Sequence, residues 1–310
     1  KSSHNMKKST RTNFLFKTKA DTLKQLTELV KQSKIEKIYA FTVEEWQRSR
    51  IGILKHISSN FNKKIIVRSS AVGEDSTISS KAGSYESILN VNTSSKKEIT
   101  NAINSVISSY EIKNNNNNDN QILIQNQTLN VVISGVIFTR TPDVGSPYFV
   151  INFEEGNLTT GVTKGSINNT VKIFRKINPK LISKKWACLI ISVKEIEKIV
   201  NSDKLDIEFG ITKNNQVVLF QVRPLTSIKE KSKNIPDHDI SKIVLKSKKQ
   251  FKKLNNFHHV LGNKTVFSDM ADWNPAEIIG NNPNILDYSL YDFLIMKDSW
   301  SVGRAKLGYQ

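Results

Sequence analysis

The chain has 310 residues, of which 38% are hydrophobic and 24% charged, and its formal net charge is +18 at pH 7. This length and composition are typical of a globular protein with two ordinary domains, or with one large domain and an appendage. No apolar run approaches the roughly 18 residues of a membrane helix, and the N-terminus lacks the apolar centre of a signal peptide, so we expect a cytoplasmic protein with no membrane partner.

The positive charge could favour nucleic acid as a partner. The lysines are spread along the chain, however, and no helix-turn-helix, RNA-binding aromatic signature or zinc finger accompanies them. We therefore expect no nucleic-acid partner, and a basic site for a polyanionic nucleotide fits the charge better. The single cysteine, Cys188, excludes an intramolecular disulfide. Its apolar surroundings favour a buried, inert thiol over a nucleophile.

Helices and strands are both predicted after an opening segment, residues 1–5, that looks like a vector scar ahead of Met6. Helical spacing of apolar residues predicts helices at 21–33, 44–59, 96–110 and 191–202. Short runs rich in β-branched residues predict strands at 63–68, 86–91, 121–125, 131–139, 147–152, 170–175, 205–210 and 216–222. A turn at 213–215 joins the last two strands into a hairpin. This mixture of elements predicts an α+β fold.

A loop rich in Gly, Ser and Ala follows the strand at 63–68, within the sequence IIVRSSAVGEDSTISSKAGSYES, residues 65–87. Arg68 stands at the strand end, and Ser69 begins the run of small residues whose backbone N–H groups join its guanidinium around one anion. Gly73 and Gly83 let the backbone approach phosphates without a clash at Cβ. The alternative for such a loop, taken alone, is an ordinary surface turn.

The predicted hairpin carries two pairs of polar side chains. Because side chains alternate along a strand, LDIEFG places Asp206 and Glu208 on one face, and LFQVRPLT does the same for Gln221 and Arg223. Across a hairpin, Glu208 and Gln221 come close enough to hold a cation, and oxygen ligands of this type suit Mg²⁺. Arg223 then meets phosphate as a planar fork. The alternative is a solvent-facing polar edge.

Residues 134–156, SGVIFTRTPDVGSPYFVINFEEG, predict a buried strand, a turn, a second strand and two carboxylates. Either Glu154 or Glu155 could accept hydrogen bonds from ribose hydroxyls. The alternative is a solvated loop, and the residues alone leave both interpretations open.

Three groups of motifs occur in a fixed order: VRSSA…GED…AG-x-Y-E-S, then GVIFTRTPDVG, then DIEFG…LFQVRPLT. From about Lys17 to Thr226 the chain resembles the ATP-grasp nucleotide-binding domain of the phosphoenolpyruvate synthase and pyruvate phosphate dikinase family. The resemblance implies an α+β ATP-grasp fold, in which two α+β subdomains clasp the nucleotide, with ATP and Mg²⁺ as cofactors. We accordingly expect subdomains at 6–110 and 111–227, a lysine-rich linker or edge element at 228–260, and the start of a further domain at 261–310.

The resemblance also implies phosphate-binding roles. KADTL, residues 19–23, is similar to the family's K-G-A-N-L, so Lys19 is the candidate phosphate-binding lysine and Lys17 is its rival. Arg68 and Arg223 are similar to the family's two phosphate-contacting arginines. The loop 71–85 is similar to its phosphate lid.

Metal and base contacts follow from the same resemblance. Glu208 and Gln221 are similar to the family's metal-binding pair. ILIQN, residues 122–126 with Gln125 among them, resembles the hinge whose backbone pairs with adenine. The chain reads N-F-E-E-G where relatives have a G-L-G-E-like turn, so the resemblance does not decide which of Glu154 and Glu155 contacts the ribose.

Members of this family carry the phosphoryl group on a histidine of a mobile domain. None of the five histidines here lies in a G-G-x-x-S-H-type loop, so we expect the partners to be a phosphohistidine swivelling domain and an acceptor-binding domain of a longer enzyme. The segment Trp273–Tyr309 is similar to dikinase relatives associated with capsular polysaccharide loci, which implies L-glutamine as the acceptor. Two alternatives stay open: a phosphoenolpyruvate synthase, with pyruvate as acceptor, and a non-catalytic nucleotide-sensing module.

Overall fold

The computed structural model describes residues 14–72, 87–112, 117–156, 169–228, 236–254 and 275–306, and the account below concerns these residues. They fall into two compact units, of which the first ends at Asp237 and the second begins at His238. The segment 1–5, predicted to be a vector scar, lies outside the described residues. Within the described ranges, no helix is long and apolar enough to cross a membrane.

The first unit contains helices together with two largely antiparallel sheets, as the α+β prediction requires. Its strands are β1 (Ser33–Lys34), β2 (Ile38–Thr42), β3 (Lys64–Ser70), β4 (Ser87–Asn92), β5 (Gln121–Asn126), β6 (Val131–Phe138), β7 (Tyr148–Glu155), β8 (Asn169–Phe174), β9 (Leu205–Thr212) and β10 (Val217–Pro224). Its helices are α1 (Lys19–Thr27), α2 (Val43–Asn60), α3 (Lys96–Ile112) and α4 (Lys184–Val200), with a 3₁₀ turn at Pro179–Leu181. Helix α5 (Asp237–Leu254) begins at the unit boundary. The second unit continues with α6 (Ala276–Ile279), α7 (Ile285–Tyr291), a π-helical segment (Asp292–Trp300) and α8 (Ser301–Ala305).

The first subdomain is built on a four-stranded antiparallel sheet in the order β2-β5-β3-β4. One face packs on α2 and α3 in a core that includes Trp46 and Tyr110. The Tyr110 hydroxyl donates to the Gln121 carbonyl at 2.6 Å and accepts from the Ser70 N–H at 2.9 Å, which fixes α3 against two strands. The other face carries Arg68 and turns towards the second sheet.

The second subdomain is a six-stranded sheet in the order β1-β10-β9-β6-β7-β8, in which only the β1–β10 pair is parallel. Ile207 and Phe209 lie in a buried core with Trp186 of α4. This helix begins at Lys184, earlier than the predicted start at residue 191, because the run WACLIIS continues its apolar stripe. Cys188 lies half-buried within it.

Strand β5 determines where the first subdomain ends. It pairs with β2 and β3 of the first sheet, so that subdomain extends to Asn126 and the predicted boundary between residues 110 and 111 falls too early. The hydrophobic pattern of the sequence predicts β5 and β6 as apolar strands, but it does not indicate which strand each of them pairs with. Strand β2 was missed because its residues are mostly half-buried and show little alternation. The predicted linker or edge element at 228–260 contains helix α5.

Strand β10 contains a β-bulge at Phe220. Leu219 pairs with Phe209 and Gln221 pairs with Glu208, so Phe220 has no opposite residue in the ladder. Bulges of this kind disrupt the ladder locally and are frequent beside functional sites. The Phe220 carbonyl is therefore able to accept a hydrogen bond from outside its own sheet.

Gly135 of β6 lies against β7 with no room for a side chain. A Cβ atom there would be 2.2 Å from the carbonyl oxygen of Asn152 and 3.0 Å from the Cα atom of Phe153. Because both are backbone atoms, we expect Gly135→Ala to lower the free energy of unfolding by about 2 kcal/mol, measured by urea denaturation. Gly303→Ala is the control, since a Cβ there meets no atom within 4 Å and should cost nothing. Equal losses in the two variants would contradict a steric origin.

Candidate functional site

A polar patch lies on the face of the second sheet that points away from α4. Glu208 is directly opposite Gln221, and Asp206 is directly opposite Arg223, so all four side chains share one face. Ile207, between the two carboxylates, faces the core. The hairpin and the shared face are therefore present as the two-residue period of the sequence predicts.

Arg68 connects the first sheet to this patch. Its Nη1 donates to the Phe220 carbonyl at 2.8 Å, and its Nη2 donates to Glu208 Oε2 at 2.6 Å. Arg68 is only 6% exposed, so both bonds are shielded from water. The guanidinium of one subdomain thus meets the carboxylate that the sequence predicts as a metal ligand on the other.

Asp206 and Glu208 are neighbours whose pKa values move in opposite directions. Burial raises the pKa of Glu208, but the charges of Arg68, Lys19 and Arg223 outweigh burial and hold it below its ordinary value. Burial likewise raises the pKa of Asp206, and here Arg223 offsets only part of the increase. Glu208 is therefore the firmly ionised member of the pair and the better cation ligand.

Asp206 and Arg223 form a buried ion pair behind Glu208. Arg223 donates from Nε at 2.9 Å and from Nη2 at 2.6 Å, both to Asp206 Oδ2. The other oxygen, Oδ1, is buried and has no hydrogen-bond partner among the described residues. This arrangement fixes the guanidinium on the polar face.

Lys19 is the first residue of α1 and is only 5% exposed. Its charge lowers the pKa of Glu208, so the two groups lie within electrostatic range. Lys17 precedes the helix, and its backbone N–H donates to the Thr22 hydroxyl at 3.2 Å. Burial and proximity to Glu208 favour Lys19 over Lys17 as the phosphate-binding lysine.

A cavity of about 60 Å³ lies between the two sheets beside these groups. Its apolar lining includes Ile66, Leu89 and Phe220. The charged residues that line it are Arg68 and Glu208. An apolar pocket with a few polar groups at one side is the usual form of a small-molecule site. The arrangement suits a flat apolar ring joined to an anionic chain.

The predicted adenine hinge at 122–126 needs correction. Gln125 lies opposite Ile38 on one side and Ile66 on the other, so the backbone of β5 is enclosed by two strands. The cavity is lined instead by Gln127 and Thr128, which follow the strand. A hinge needs free backbone groups, and these become available only where the ladder ends.

The side chain of Ser69 faces away from Arg68, and the predicted role of its backbone N–H in binding an anion stays a prediction. Ser69 lies opposite Ile122, which packs in the core with α2 and α3, so the two-residue period points its side chain away from Arg68. Ser70, on the same face as Arg68, accepts a hydrogen bond from the Ala20 N–H at 3.0 Å. Gly73, Gly83 and most of the predicted phosphate lid at 71–85 lie outside the described residues.

The two candidate ribose carboxylates lie on different faces of β7. Glu154 is opposite Ser134, which lines the cavity, and so shares the polar face. Glu155 is exposed and accepts from Lys185 Nζ of α4 at 2.7 Å. The structure therefore leaves Glu154 as the candidate on the side of the cavity.

Arg140, from the TRTPDVG motif, lies away from this patch in a network of ion pairs. Its guanidinium contacts Asp203 and Asp237, at 2.5 Å and 2.9 Å from Nη2. All three residues belong to the first unit, where these contacts hold the turn after β6. The motif is thus accounted for by packing.

A family model described as "Pyruvate phosphate dikinase, AMP/ATP-binding domain" matches residues 5–194, more than half of the chain. The chain belongs to this family. The matched range includes Lys19, Arg68 and the cavity residues up to Gly135, whereas the hairpin of Glu208 and Arg223 lies beyond it and joins the site through the geometry above. With two α+β subdomains facing each other across Arg68, the chain has the predicted α+β ATP-grasp fold of an ATP-binding domain.

Comparison with other proteins gives distant likenesses. No curated protein matches the chain. Among solved structures it is similar to the D-Ala:D-Ser ligase of Enterococcus faecalis, with a TM-score of 0.40 and 13% identity over 69% of this chain and 54% of that one. For the D-alanine–D-alanine ligase of Helicobacter pylori the TM-score is 0.39 and the sequence identity 16%, over 67% of this chain and 51% of that one. For an ADP complex of N5-carboxyaminoimidazole ribonucleotide synthetase the TM-score is 0.37 and the sequence identity 13%, over 67% of this chain and 45% of that one. The chain spans about half the length of these structures.

Proposed function

We propose that this chain is the ATP-binding part of a dikinase-type phosphotransferase. The observation that carries the proposal is the convergence of Lys19, Arg68 and Arg223 around Glu208, beside an apolar cavity between two subdomains. Three cations around one carboxylate suit a polyphosphate held together with a divalent metal. The family's description as an AMP/ATP-binding domain supports the same ligand.

The residues present fit Mg²⁺. Glu208 is ionised, Gln221 lies directly opposite it, and Asp206 has a buried oxygen without a partner among the described residues. The described part of the chain holds no group of three or more His, Cys, Asp and Glu side chains that could form a metal cage. Mg²⁺ usually takes one or two protein ligands with phosphate oxygens and water, so Glu208 and Gln221 would hold it. The ion would supply charge neutralisation at the phosphates.

The chain's own residues then hold and orient the phosphates. Lys19 and the two arginines, Arg68 and Arg223, offset the negative charge that is redistributed during phosphoryl transfer, in a site already arranged for it. Arg68 presents a planar fork with two parallel donors, which matches phosphate geometry better than a lysine would. The same fork now binds Glu208 and the Phe220 carbonyl, so its position is fixed in advance.

We further propose the phosphoryl path that the sequence resemblance implies. A histidine on a separate domain accepts a phosphoryl group from ATP and passes it to L-glutamine, which gives L-glutamine phosphate while ATP and water become AMP and phosphate overall. Two histidines are among the described residues. His56, in α2, packs on the ring of Tyr39, and His238 is exposed at the start of α5. Support for glutamine comes from the sequence Trp273–Tyr309, of which residues 275–306 form the short helices of the second unit.

The first experiment measures ATP binding by the 310-residue chain with isothermal titration calorimetry. We expect saturable binding that weakens by about 10-fold when EDTA removes Mg²⁺, because the phosphates then lose their bridging cation. CTP and sulfate are the control ligands. Absence of binding with Mg²⁺ present would contradict the proposal, and equal binding with and without Mg²⁺ would contradict the metal assignment.

The second experiment identifies the reaction in the full-length enzyme. We expect AMP and phosphate as products when ATP and L-glutamine are both supplied. ADP as the main product would exclude a dikinase, and AMP release that needs pyruvate but ignores glutamine would favour a phosphoenolpyruvate synthase. A non-catalytic sensor would bind ATP and give no phosphohistidine after incubation with β-labelled ATP.

A further inference from the structure

Strand β2 differs from the other edge strands of the two sheets, which are β1, β8 and β4 in the part of the chain that the structure describes. Edge strands are usually kept from pairing with other molecules by short length, by lysine or by a bulge. β1 has two residues, β8 carries the exposed Lys172, and in β4 two residues, 89–90, lie opposite Ile66 alone. β2, with the sequence IYAFT, has no charge and no proline, and its pairing with β5 is unbroken. This edge is therefore suited to pair with a further strand.

The outer side of β2 presents backbone groups without partners. At the two ends of its pairing with β5, the Lys37 carbonyl accepts a hydrogen bond at 3.0 Å and the Val43 N–H donates one at 2.9 Å. Because backbone groups alternate in direction along a strand, the even-numbered residues between them, Ile38, Ala40 and Thr42, point away from β5. The Thr42 N–H donates to a glutamate of α2 at 2.7 Å. The N–H and C=O groups of Ile38 and Ala40 have no partner among the described residues.

A groove of about 440 Å³ runs along this edge. Residues 38–42 all line it, together with Ala20, Asp21 and Lys24 of α1. Since side chains alternate between the two faces of a strand, consecutive residues line one groove only where it follows the backbone edge. The Ala20 N–H donates to the hydroxyl of Ser70 on β3, two strands in from the edge. Helix α1 therefore lies over the face of the sheet and leaves the edge open to an incoming strand.

We propose that β2 pairs antiparallel with β2 of a second copy of this chain, with Tyr39 of one protomer opposite the partner's Tyr39. In this register Ile38 bonds with the partner's Ala40, and Ala40 bonds with the partner's Ile38. The four hydrogen bonds satisfy every N–H and C=O group that the two copies leave unpaired. A register centred on Ala40 would instead need the Thr42 N–H, which is already bonded. The result is one eight-stranded sheet across a two-fold axis.

The charges beside the groove favour a second copy as the occupant. The Thr18 hydroxyl contacts both Asp21 Oδ2, at 2.8 Å, and Gln121 Oε1, at 2.7 Å, so Asp21 lies at the end of β2 that pairs with Gln121. Lys24 also lines the groove and lies about one helical turn further from that end. Because the strands are antiparallel, the partner presents these charges in the reverse order. Lys24 of each copy then lies on the side of the partner's Asp21, which favours this pairing.

Sedimentation velocity of the 310-residue chain at increasing concentration tests the pairing, with an expected change from the mass of one chain to that of two. Ala40→Pro removes two of the four hydrogen bonds between the copies and should weaken the dimer at least about 30-fold. Proline is tolerated on an edge strand where the lost N–H points outwards. Lys172→Pro is the matched control, because β8 bonds β7 at alternate residues up to Arg175 and the Lys172 N–H also points outwards. This control should dimerise as the unmodified chain does.

Two cysteine variants test the register without a proline. Tyr39→Cys and Ala40→Cys are each made together with Cys188→Ser, which removes the native thiol. Under mild oxidation Tyr39→Cys should form a disulfide between two chains, because the Cβ atoms of such an antiparallel pair lie close to disulfide distance. Ala40→Cys should not, since the partner's Ile38 lies opposite. Electrophoresis without reductant compares the two variants.

Three results would overturn the inference. A chain that stays monomeric up to about 100 μM would leave this edge to a strand of another protein. A dimer that Ala40→Pro and Lys172→Pro leave equally stable would have its contact elsewhere. Cross-linking of Ala40→Cys but not of Tyr39→Cys would contradict the register. All measurements are made without nucleotide, so their outcome does not depend on the proposed ATP-binding function.

Discussion

Arg68→Met is expected to weaken ATP binding by about 100-fold or more. The guanidinium is buried between the sheets and bonded to both Glu208 and the Phe220 carbonyl. Met fills a similar volume without charge, so the phosphates lose a cation and the carboxylate of Glu208 loses its strongest partner. For the same reason the free energy of unfolding should fall by about 3 kcal/mol. Calorimetry with Mg-ATP and urea denaturation measure the two effects.

Arg48→Met is the matched control for this variant. Arg48 also forms a 2.6 Å ion pair with a glutamate, Glu44, but its side chain is 76% exposed on the surface of α2. Exposed pairs one helical turn apart contribute less than about 0.5 kcal/mol, so stability and ATP affinity should both stay near those of the unmodified chain. If Arg68→Met bound ATP as tightly as Arg48→Met, Arg68 would not belong to the site.

Arg223→Met is expected to lower the free energy of unfolding by about 3–5 kcal/mol, because it leaves Asp206 buried without its ion-pair partner. Asp206 Oδ2 accepts both hydrogen bonds from Arg223, and no described residue takes over at Oδ1. Affinity for ATP should fall as well, since the phosphates lose a planar donor fork. Urea denaturation at several pH values measures the stability.

The pH dependence of Arg223→Met follows from the pKa of Asp206. Burial already raises this pKa above its ordinary value of 3.8, and the loss of Arg223 removes the opposing effect. A carboxyl whose pKa is raised in the folded state stabilises that state below its unfolded pKa and loses this contribution as pH rises through the folded pKa. The deficit of the variant should therefore be smallest below about pH 4 and grow towards neutral pH. A deficit that shrinks as pH rises would contradict a buried Asp206.

A double variant separates folding from binding at this pair. Arg223→Met with Asp206→Leu removes both charges and leaves two apolar side chains between the strands. Buried ion pairs replaced in this way are often neutral for stability, so most of the loss should be recovered. Affinity for ATP should stay as low as in Arg223→Met. Recovery of ATP binding in the double variant would show that Arg223 acts only on the fold.

Much of the site follows from local patterns in the sequence. The strand period places Asp206 with Glu208 on one face of LDIEFG, and Gln221 with Arg223 on one face of LFQVRPLT. Their direct pairing across the hairpin depends in addition on the bulge at Phe220, which the period does not show. The same period, applied to VRSSA, would have placed Ser69 on the opposite face from Arg68.

What the sequence does not show is which strands become neighbours. The patterns give β5 as a buried strand, but its position between β2 and β3 depends on packing with α2 and α3. The enclosed backbone at 122–126, and with it the shift of the candidate base contacts to Gln127 and Thr128, could not be predicted without that position. The bond from Arg68 to Glu208 is likewise a contact between sheets, so no local spacing encodes it.

The bulge at Phe220 gives strand β10 one residue more than the paired strand β9. Val217 and Leu219 face the core, so a regular strand would also turn Gln221 and Arg223 towards the core. The extra residue reverses the alternation, and Val222 faces the core instead. The same surplus residue supplies the carbonyl that receives Arg68. A single added position therefore sets the orientation of the cation ligands and also provides the acceptor that attaches the opposite subdomain. Removal of Phe220 would leave Glu208 and Gln221 paired but would take away that attachment, so tolerance of length changes should differ sharply between this position and the turn at 213–215.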